Sequence, residues 1–481
     1  MILLQTNAPQ YAADLADVLR LFFGVEEIVL DGDGIVTEPR LTAYASLYGD
    51  AATARLLGGQ ETVLPLPLVD KNDRWENKRQ EKRTLKRALY AALQNAFPKN
   101  LPWGSLTGIR PTALLRQLSE RHGEDEAMRL FAEDFDVSKS KTLLAREICA
   151  VQKPIFETLR PNSLDVYIGI PYCRSRCLYC SFGTETGKRP AELDDYLDFL
   201  LADMRGGAAI AREGGYRLRS VYIGGGTPTV LSAKQLERLL AAVRAAYDTS
   251  GEFTVEAGRP DTITPQKLHV LKAAGVTRVS VNPQSMNDAT LRRIGRAHTA
   301  ADIARAVGEA REAGFYNINT DIIAGLPGET ALDMERTLEA IAGLAPESLT
   351  VHTLAVKRSS RLKEQLDKTP LPNESTVSVM LELADCAARQ TGMKPYYLYR
   401  QKYMSGALEN VGYALQGREC IYNVDMMEDC CSVMAHGAGA ISKRVFAERD
   451  TRVERVPNPK DVPTYAAKLD ELDRRKHALF L

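Results

Sequence analysis

"SVYIGGGTPTVLSAKQLERLLAAVRAAY", Ser220 to Tyr247, contains one complete strand-and-helix unit. Its first five residues are β-branched, aromatic or small, and three glycines end the run, as a short buried strand requires. Ser232 then stands as an N-cap before an amphipathic stretch whose leucines recur at helical spacing. Outward from this unit the alternation repeats. "VYIGI" (166–170), "FTVEA" (253–257), "RVSVN" (278–282), "NINTDIIAG" (317–325) and "SLTVHTL" (348–354) are further strand-like runs with helical segments between them, one of which, "TPQKLHVLKAAG", closes on Gly275. Strands alternating with helices imply a parallel sheet with right-handed crossovers. Too little chain remains for two more complete units, so an α/β fold with a partial (β/α)6 barrel is expected, its chemistry at the C-terminal ends of the strands.

The 481 residues exceed one ordinary core, and three domains are expected: an α/β N-terminal accessory domain (1–160), the barrel (161–370) and a mainly helical C-terminal appendage covering the barrel mouth (371–481). In the first, the basic stretch Lys71 to Tyr90 carries Leu85, Leu89, Ala92 and Leu93 at helical spacing, which predicts an amphipathic helix with its apolar stripe on the domain core. Hydrophobic residues make up 44% and charged residues 26%, a soluble globular composition. Basic and acidic residues balance at 62 each, which disfavours nucleic acid and anionic lipid as partners. The N-terminus shows neither a leader pattern nor an apolar run of membrane length, so a cytoplasmic location is expected.

One loop carries the chemistry. "VYIGIPYCRSRCLYCSF", Val166 to Phe182, places Cys173, Cys177 and Cys180 as CxxxCxxC just beyond the first strand. Closed zinc sites arise from CxxC pairs and four protein ligands. Three thiolates suit a [4Fe-4S] cluster with one iron left for a substrate or cofactor. Arg174 and Arg176 between them are candidates to offset the cluster's charge or to face a reductant. Of the other cysteines, Cys149 and Cys386 are expected as small buried hydrophobes, while Cys420, Cys430 and Cys431 lack a partner motif. His298, His352 and His436 are candidates for the mouth.

The cysteine loop, "YIGGGTPTVL" (222–231) and "DIIAGLPGET" (321–330) resemble the radical S-adenosylmethionine (SAM) enzymes, specifically the oxygen-independent coproporphyrinogen III oxidase group; the long N-terminal region and "YYLYRQKYMSGALENVGYA" (396–414) resemble its HemZ-type branch. The resemblance implies a radical SAM barrel and two cofactors, a [4Fe-4S] cluster held by Cys173, Cys177 and Cys180, and SAM. It carries SAM binding onto Tyr167, Tyr179, Gly224, Gly225, Gly226, Thr227, Glu256, Gln284, Arg296, Asp321 and Ala355, with Phe182 packed beside the cluster as a shield from solvent. The implied reaction is oxidative decarboxylation of propionates to vinyl groups in haem biosynthesis. The implied partners are a tetrapyrrole, coproporphyrinogen III or haem, and a small electron-transfer protein such as flavodoxin or ferredoxin. Arg400, Lys402 and Arg296 are candidate anchors for its carboxylates, and Tyr396, Tyr397 and Tyr399 for its ring. Two departures stand out: the oxidases carry a further cysteine where this chain has Phe182, and a short arm where it has a whole domain. Phe at that position also occurs in relatives resembling haem-binding chaperones, which is the second reading; a radical enzyme acting on RNA is the third.

Overall fold

The computed structural model describes residues 1–24, 26–31, 38–67, 73–108, 110–183, 185–401, 404–446 and 452–481. Its chain contacts form two compact units, Met1–Arg146 with Arg400–Leu408, and Glu147–Tyr399 with Glu409–Leu481.

The first unit has a five-stranded sheet in which β1 (Ile2–Thr6) lies between β2 (Ile28–Leu30) and β3 (Leu41–Tyr48), continuing to β4 (Ala51–Leu56) and β5 (Thr62–Pro65). Helix Arg74–Ala96 lies on this sheet through Leu85, Leu89, Ala92 and Leu93, all buried, which is the stripe expected from the sequence. Asp73 caps it by accepting the Glu76 amide at 2.9 Å. Burial in the same face pushes the Lys86 ammonium down to about 8.

The second unit holds an eleven-stranded sheet. Its centre is the expected parallel run, β6 (Ser163–Ile170), β9 (Arg217–Gly225), β10 (Glu252–Gly258), β11 (Arg278–Gln284), β12 (Ile318–Ala324) and β13 (Ser348–Thr353), adjacent in chain order. Between β6 and β9 the cysteine loop is pinched by a small parallel pair, β7 (Tyr172–Cys173) and β8 (Glu185–Thr186). The sheet stays open. Each central strand is buried on both faces, as parallel strands under crossover helices must be. The Ser220–Tyr247 unit forms as read: Ser232 accepts the Gln235 amide, Gln235 reaches back in a capping box, and helix Ala233–Ala246 follows.

Both sheet edges come from the C-terminal segment, which the sequence reading did not anticipate. β14 (Lys394–Tyr399) and β15 (Asn410–Ala414) extend the β13 edge antiparallel. At the other edge β16 (Ser432–His436) runs parallel to β6, followed by the antiparallel β17 (Ile441–Val445) and β18 (Val453–Pro457). No helix among the described residues is long and apolar enough to cross a membrane.

Candidate functional site

Two strands set the floor plan of the mouth. β6 and β9 both read Val-Tyr-Ile-Gly, and they pair in register, with Val166 opposite Val221, Tyr167 opposite Tyr222 and Ile168 opposite Ile223. Because side chains alternate across a strand, the aliphatic pairs join the core under the helices. The tyrosine pair lies on the opposite face, where Tyr222 stacks on Tyr422 with ring centroids 4.5 Å apart and Tyr167 lies 6.2 Å from the same ring. This platform was not singled out from the sequence, yet the repeated tetrapeptide was its signal.

Glu256 ends β10 above the platform and accepts the Tyr222 hydroxyl at 2.6 Å. Burial raises its carboxyl to about 7; hydrogen bonds from the Tyr222 hydroxyl and the Gly225 N–H oppose that rise and neighbouring Asp321 adds to it. Gly224 has no room for a side chain, since a Cβ there would come within 2.9 Å of the Glu256 carboxyl. At Gly226 a Cβ would meet the Tyr172 carbonyl at 2.4 Å, because the glycine amide donates to Ile170 O and the Thr227 amide to Tyr172 O, both at 2.8 Å. The triplet thus draws the end of β9 against the root of the cysteine loop.

Clamps on every side hold that loop. The Leu178 amide donates to Ile294 O and the Leu362 amide to Leu178 O, each at 2.9 Å. Arg259, paired with Asp261 at 2.9 Å, donates to the Ser175 carbonyl and hydroxyl. Arg174 donates to Asp261 O at 2.7 Å and Arg176 to Ser359 O at 2.6 Å, so both act as loop ties. Cys173 Sγ lies 3.4 Å from Thr227 Oγ1. Cys177 is buried, Cys173 and Cys180 are half-buried, and none of the three is in a disulfide.

Arg296 connects the loop to the strand ends. Its guanidinium donates to Tyr179 Oη at 3.0 Å and to Asn282 O at 2.9 Å. Arg296 Nε and Asn282 Oδ1 are both buried and have no hydrogen-bond partner among the described residues. Gln284 ends β11 with φ +70°, a left-handed conformation unusual for a residue with a Cβ. Asp321 on β12 accepts the Asn319 amide at 2.7 Å and faces His352 Nε2 at 4.0 Å, whose Nδ1 lies 3.3 Å from the Tyr399 hydroxyl. Ala355 follows β13 by two residues.

The structure therefore gathers Cys173, Cys177, Cys180, Tyr179, Thr227 and Arg296 around the loop, and Tyr167, Gly225, Glu256 and Asp321 around the platform. Three unlinked thiols on one braced loop are the donor set of a cubane cluster with an open iron. The unmatched Arg296 and Asn282 atoms suit a ligand bearing both carboxylate and amine, and Glu256 suits hydroxyls or positive charge. The residues fit a cluster and SAM.

Several expectations are corrected. Phe182, expected beside the cluster, is 66% exposed among the protein atoms described. His298 is buried beside the residues that clamp the loop, its ring 3.9 Å from Asp261, and is held neutral, near about 4, by burial and by Arg296. His436 is fully buried between Asp203 and Tyr247, at 3.1 and 2.6 Å, and braces helices. The Arg400 guanidinium is committed to the carbonyls of Leu106 and Ala407 and lies over Trp103, so it is a structural tie and no carboxylate anchor. Lys402 lies outside the described residues. Cys386 is exposed on helix Glu374–Gln390 because its position falls on the outer face.

An open parallel (β/α)6 sheet with a three-thiolate loop at its mouth defines a SAM-dependent iron–sulfur class. Residues 167–341 match the Radical SAM superfamily. The chain is 38% identical, over 78% of its length and 76% of the relative's, to the oxygen-independent coproporphyrinogen-III oxidase-like protein HemZ of Bacillus subtilis. It is 34% identical to the heme chaperone HemW of the same organism, over 48% of this chain and 61% of that one. Among solved structures, the coproporphyrinogen III oxidase HemN of Escherichia coli, a radical SAM enzyme, superposes with a TM-score of 0.52 at 23% identity, covering 68% of this chain and 73% of that one. The chain belongs to the radical SAM superfamily and, within it, to the HemZ-like oxidase-related family.

Proposed function

We propose that this chain is a radical SAM oxidoreductase that decarboxylates the propionate side chains of coproporphyrinogen III to vinyl groups without oxygen. The observation carrying this reading is the occurrence, beside a loop that holds three clamped thiols outside any disulfide, of strand-end polar atoms that are buried without partners, Arg296 Nε and Asn282 Oδ1. When bound, the cluster and SAM supply one-electron cleavage of a carbon–sulfur bond and thereby hydrogen abstraction. This chain's residues do the rest. Arg296 and Asn282 orient the amino-acid end of SAM, Glu256 and Asp321 hold its polar nucleoside end, and the Tyr167–Tyr222–Tyr422 platform keeps water from the cavity below. The likeness to a HemZ-like oxidase relative supports the tetrapyrrole substrate. Cysteines held outside disulfides fit a reducing compartment, the cytoplasm, where a flavodoxin or ferredoxin would deliver the electron.

Phe182, standing where the oxidases have a further cysteine, and the HemW likeness favour a second reading, a haem chaperone. Anaerobic incubation of reconstituted protein with coproporphyrinogen III, SAM and reductant decides between them by mass spectrometry. A vinyl product with loss of carbon dioxide is the expected outcome. A Soret band on haem addition without any vinyl product would establish the chaperone.

A further inference from the structure

At the amino-terminal end of the sheet, away from the cysteine loop, three buried side chains meet and a fourth lies beside them. Asp165 stands on β6, Asp425 on helix Ile421–Glu428, and Cys430 and Cys431 on the turn into β16. One ligand atom each from Asp165, Asp425 and Cys431 lies within 4.8 Å of the others, and all three residues are buried. Cys430 Sγ lies 3.2 Å from Asp425 Oδ1.

The way the carboxylates are divided is informative. Asp165 Oδ1 accepts the Ser220 hydroxyl at 2.6 Å, and Asp425 Oδ2 accepts Arg219 Nε at 2.5 Å. One oxygen of each carboxylate is thus fixed by an outer donor, while the other remains for the thiols. Asp165 Oδ2 is fully buried and meets no donor other than the weak one of the Cys431 thiol. A buried carboxylate oxygen left this way is costly unless a cation meets it. Outer donors that orient the inner carboxylates are also how metal-binding acids are held.

We propose that Asp165, Asp425, Cys430 and Cys431 form a structural site for a borderline-soft divalent cation of the zinc type. Two oxygens and two sulfurs are a tetrahedral zinc donor set, whose ligand atoms stand about 3.5 Å apart when bonds are near 2.1 and 2.3 Å. Two carboxylates and two thiolates carry four negative charges, of which a divalent ion and the paired Arg219 offset three. Without a cation, burial and mutual repulsion push Asp165, Asp425 and Cys431 upward toward their protonated forms. Since Asp165, Asp425 and Cys431 are buried and come from separate elements, the role of the site is to staple β6, β9, helix Ile421–Glu428 and β16 together at the floor. Arg219 extends the staple to Thr158 Oγ1 and Ile155 O.

The test is elemental analysis of the full-length protein purified without added metal, with iron and sulfide measured alongside. About one zinc per chain beyond the cluster iron is expected. Growth with cobalt in place of zinc should give thiolate-to-cobalt charge transfer and tetrahedral ligand-field bands. The Cys430→Ser, Cys431→Ser double variant should lose bound zinc about tenfold or more and keep its cluster iron, whereas Cys173→Ala should lose iron and keep zinc. Wild-type protein that holds no zinc and takes none up on dialysis overturns the site, without recourse to any variant. So does zinc that survives the double variant or leaves with Cys173. None of these readouts depends on turnover, so the site stands or falls apart from the reaction proposed above.

Discussion

The two ends of the parallel sheet use charge in opposite ways. At the mouth, Glu256 is held near half-ionisation, and Arg296 Nε and Asn282 Oδ1 are buried without partners. At the floor, the first residues of the same strands are charged groups with defined partners. Arg278, opening β11, donates to Arg418 O and Ser348 Oγ, both at 2.7 Å. Glu252, opening β10, accepts the Ile421 and Tyr422 amides at 2.8 and 3.2 Å and so caps helix Ile421–Glu428, which plugs that end. A fold stores unsatisfied polarity where it must receive a ligand and spends paired polarity where it must exclude water. The Asp165–Cys431 group is the exception at the floor, which is why it invites a cation.

The contrast breaks most sharply at the cysteine loop. Cys177→Ala should abolish the cluster's visible absorption and reduce SAM cleavage to background, while the far-ultraviolet circular dichroism stays unchanged, because backbone bonds and arginines hold the loop. Retained cluster absorption would show that Cys177 is no ligand.

At the floor the expected effect is on stability. Arg278→Met removes a buried guanidinium and leaves the Arg418 carbonyl and the Ser348 hydroxyl without it, costing about 3–5 kcal/mol in chemical denaturation while SAM affinity holds. A loss below about 1 kcal/mol would mean that the floor's polar pairing is dispensable.

How far these two ends were legible in the sequence follows from the distances over which their residues act. The cysteine triad and the glycine triplet act within a few residues, and the six parallel strands declare themselves by composition, so loop and central sheet were readable. The partners of Arg278 lie at 348 and 418, and those of Asp165 at 220, 425 and 431; no local pattern couples such positions. β14 to β18 were missed for a related reason: an aromatic run such as "YYLY" suits a strand edge or a helix equally until its neighbours are known. Phe182 was placed beside the cluster by its position two residues after Cys180, and how exposed a loop residue is depends on the path of the chain, which no local pattern gives.

Glu256 gives an intermediate, pH-dependent test of the mouth. Its carboxyl sits near 7 in the folded protein against an ordinary value of about 4.5, so the folded state binds the extra proton between those limits. Its contribution to stability is therefore full below about 4.5 and lost as pH rises through about 7. With Tyr222, Tyr167 and Asp321 facing it, Glu256→Gln should stabilise the ligand-free protein by about 1–3 kcal/mol at pH 8 and hardly at all at pH 5. The same variant should weaken SAM binding measured by equilibrium dialysis. A stability difference that does not vary with pH would mean that Glu256 titrates as an ordinary surface acid.

The smallest effect belongs to Arg174. Its side chain is 65% exposed, and its pair with Asp261 is long, at 3.9 Å, so water screens most of the attraction. What remains is a hydrogen bond to the Asp261 carbonyl, duplicating from outside the bracing that buried Arg259 supplies from within. Arg174→Ala should cost less than about 1 kcal/mol and leave the iron content unchanged. If the variant instead assembles less cluster, the loop depends on its outer tie. In that case the mouth, like the floor, would be held by polar pairs acting together.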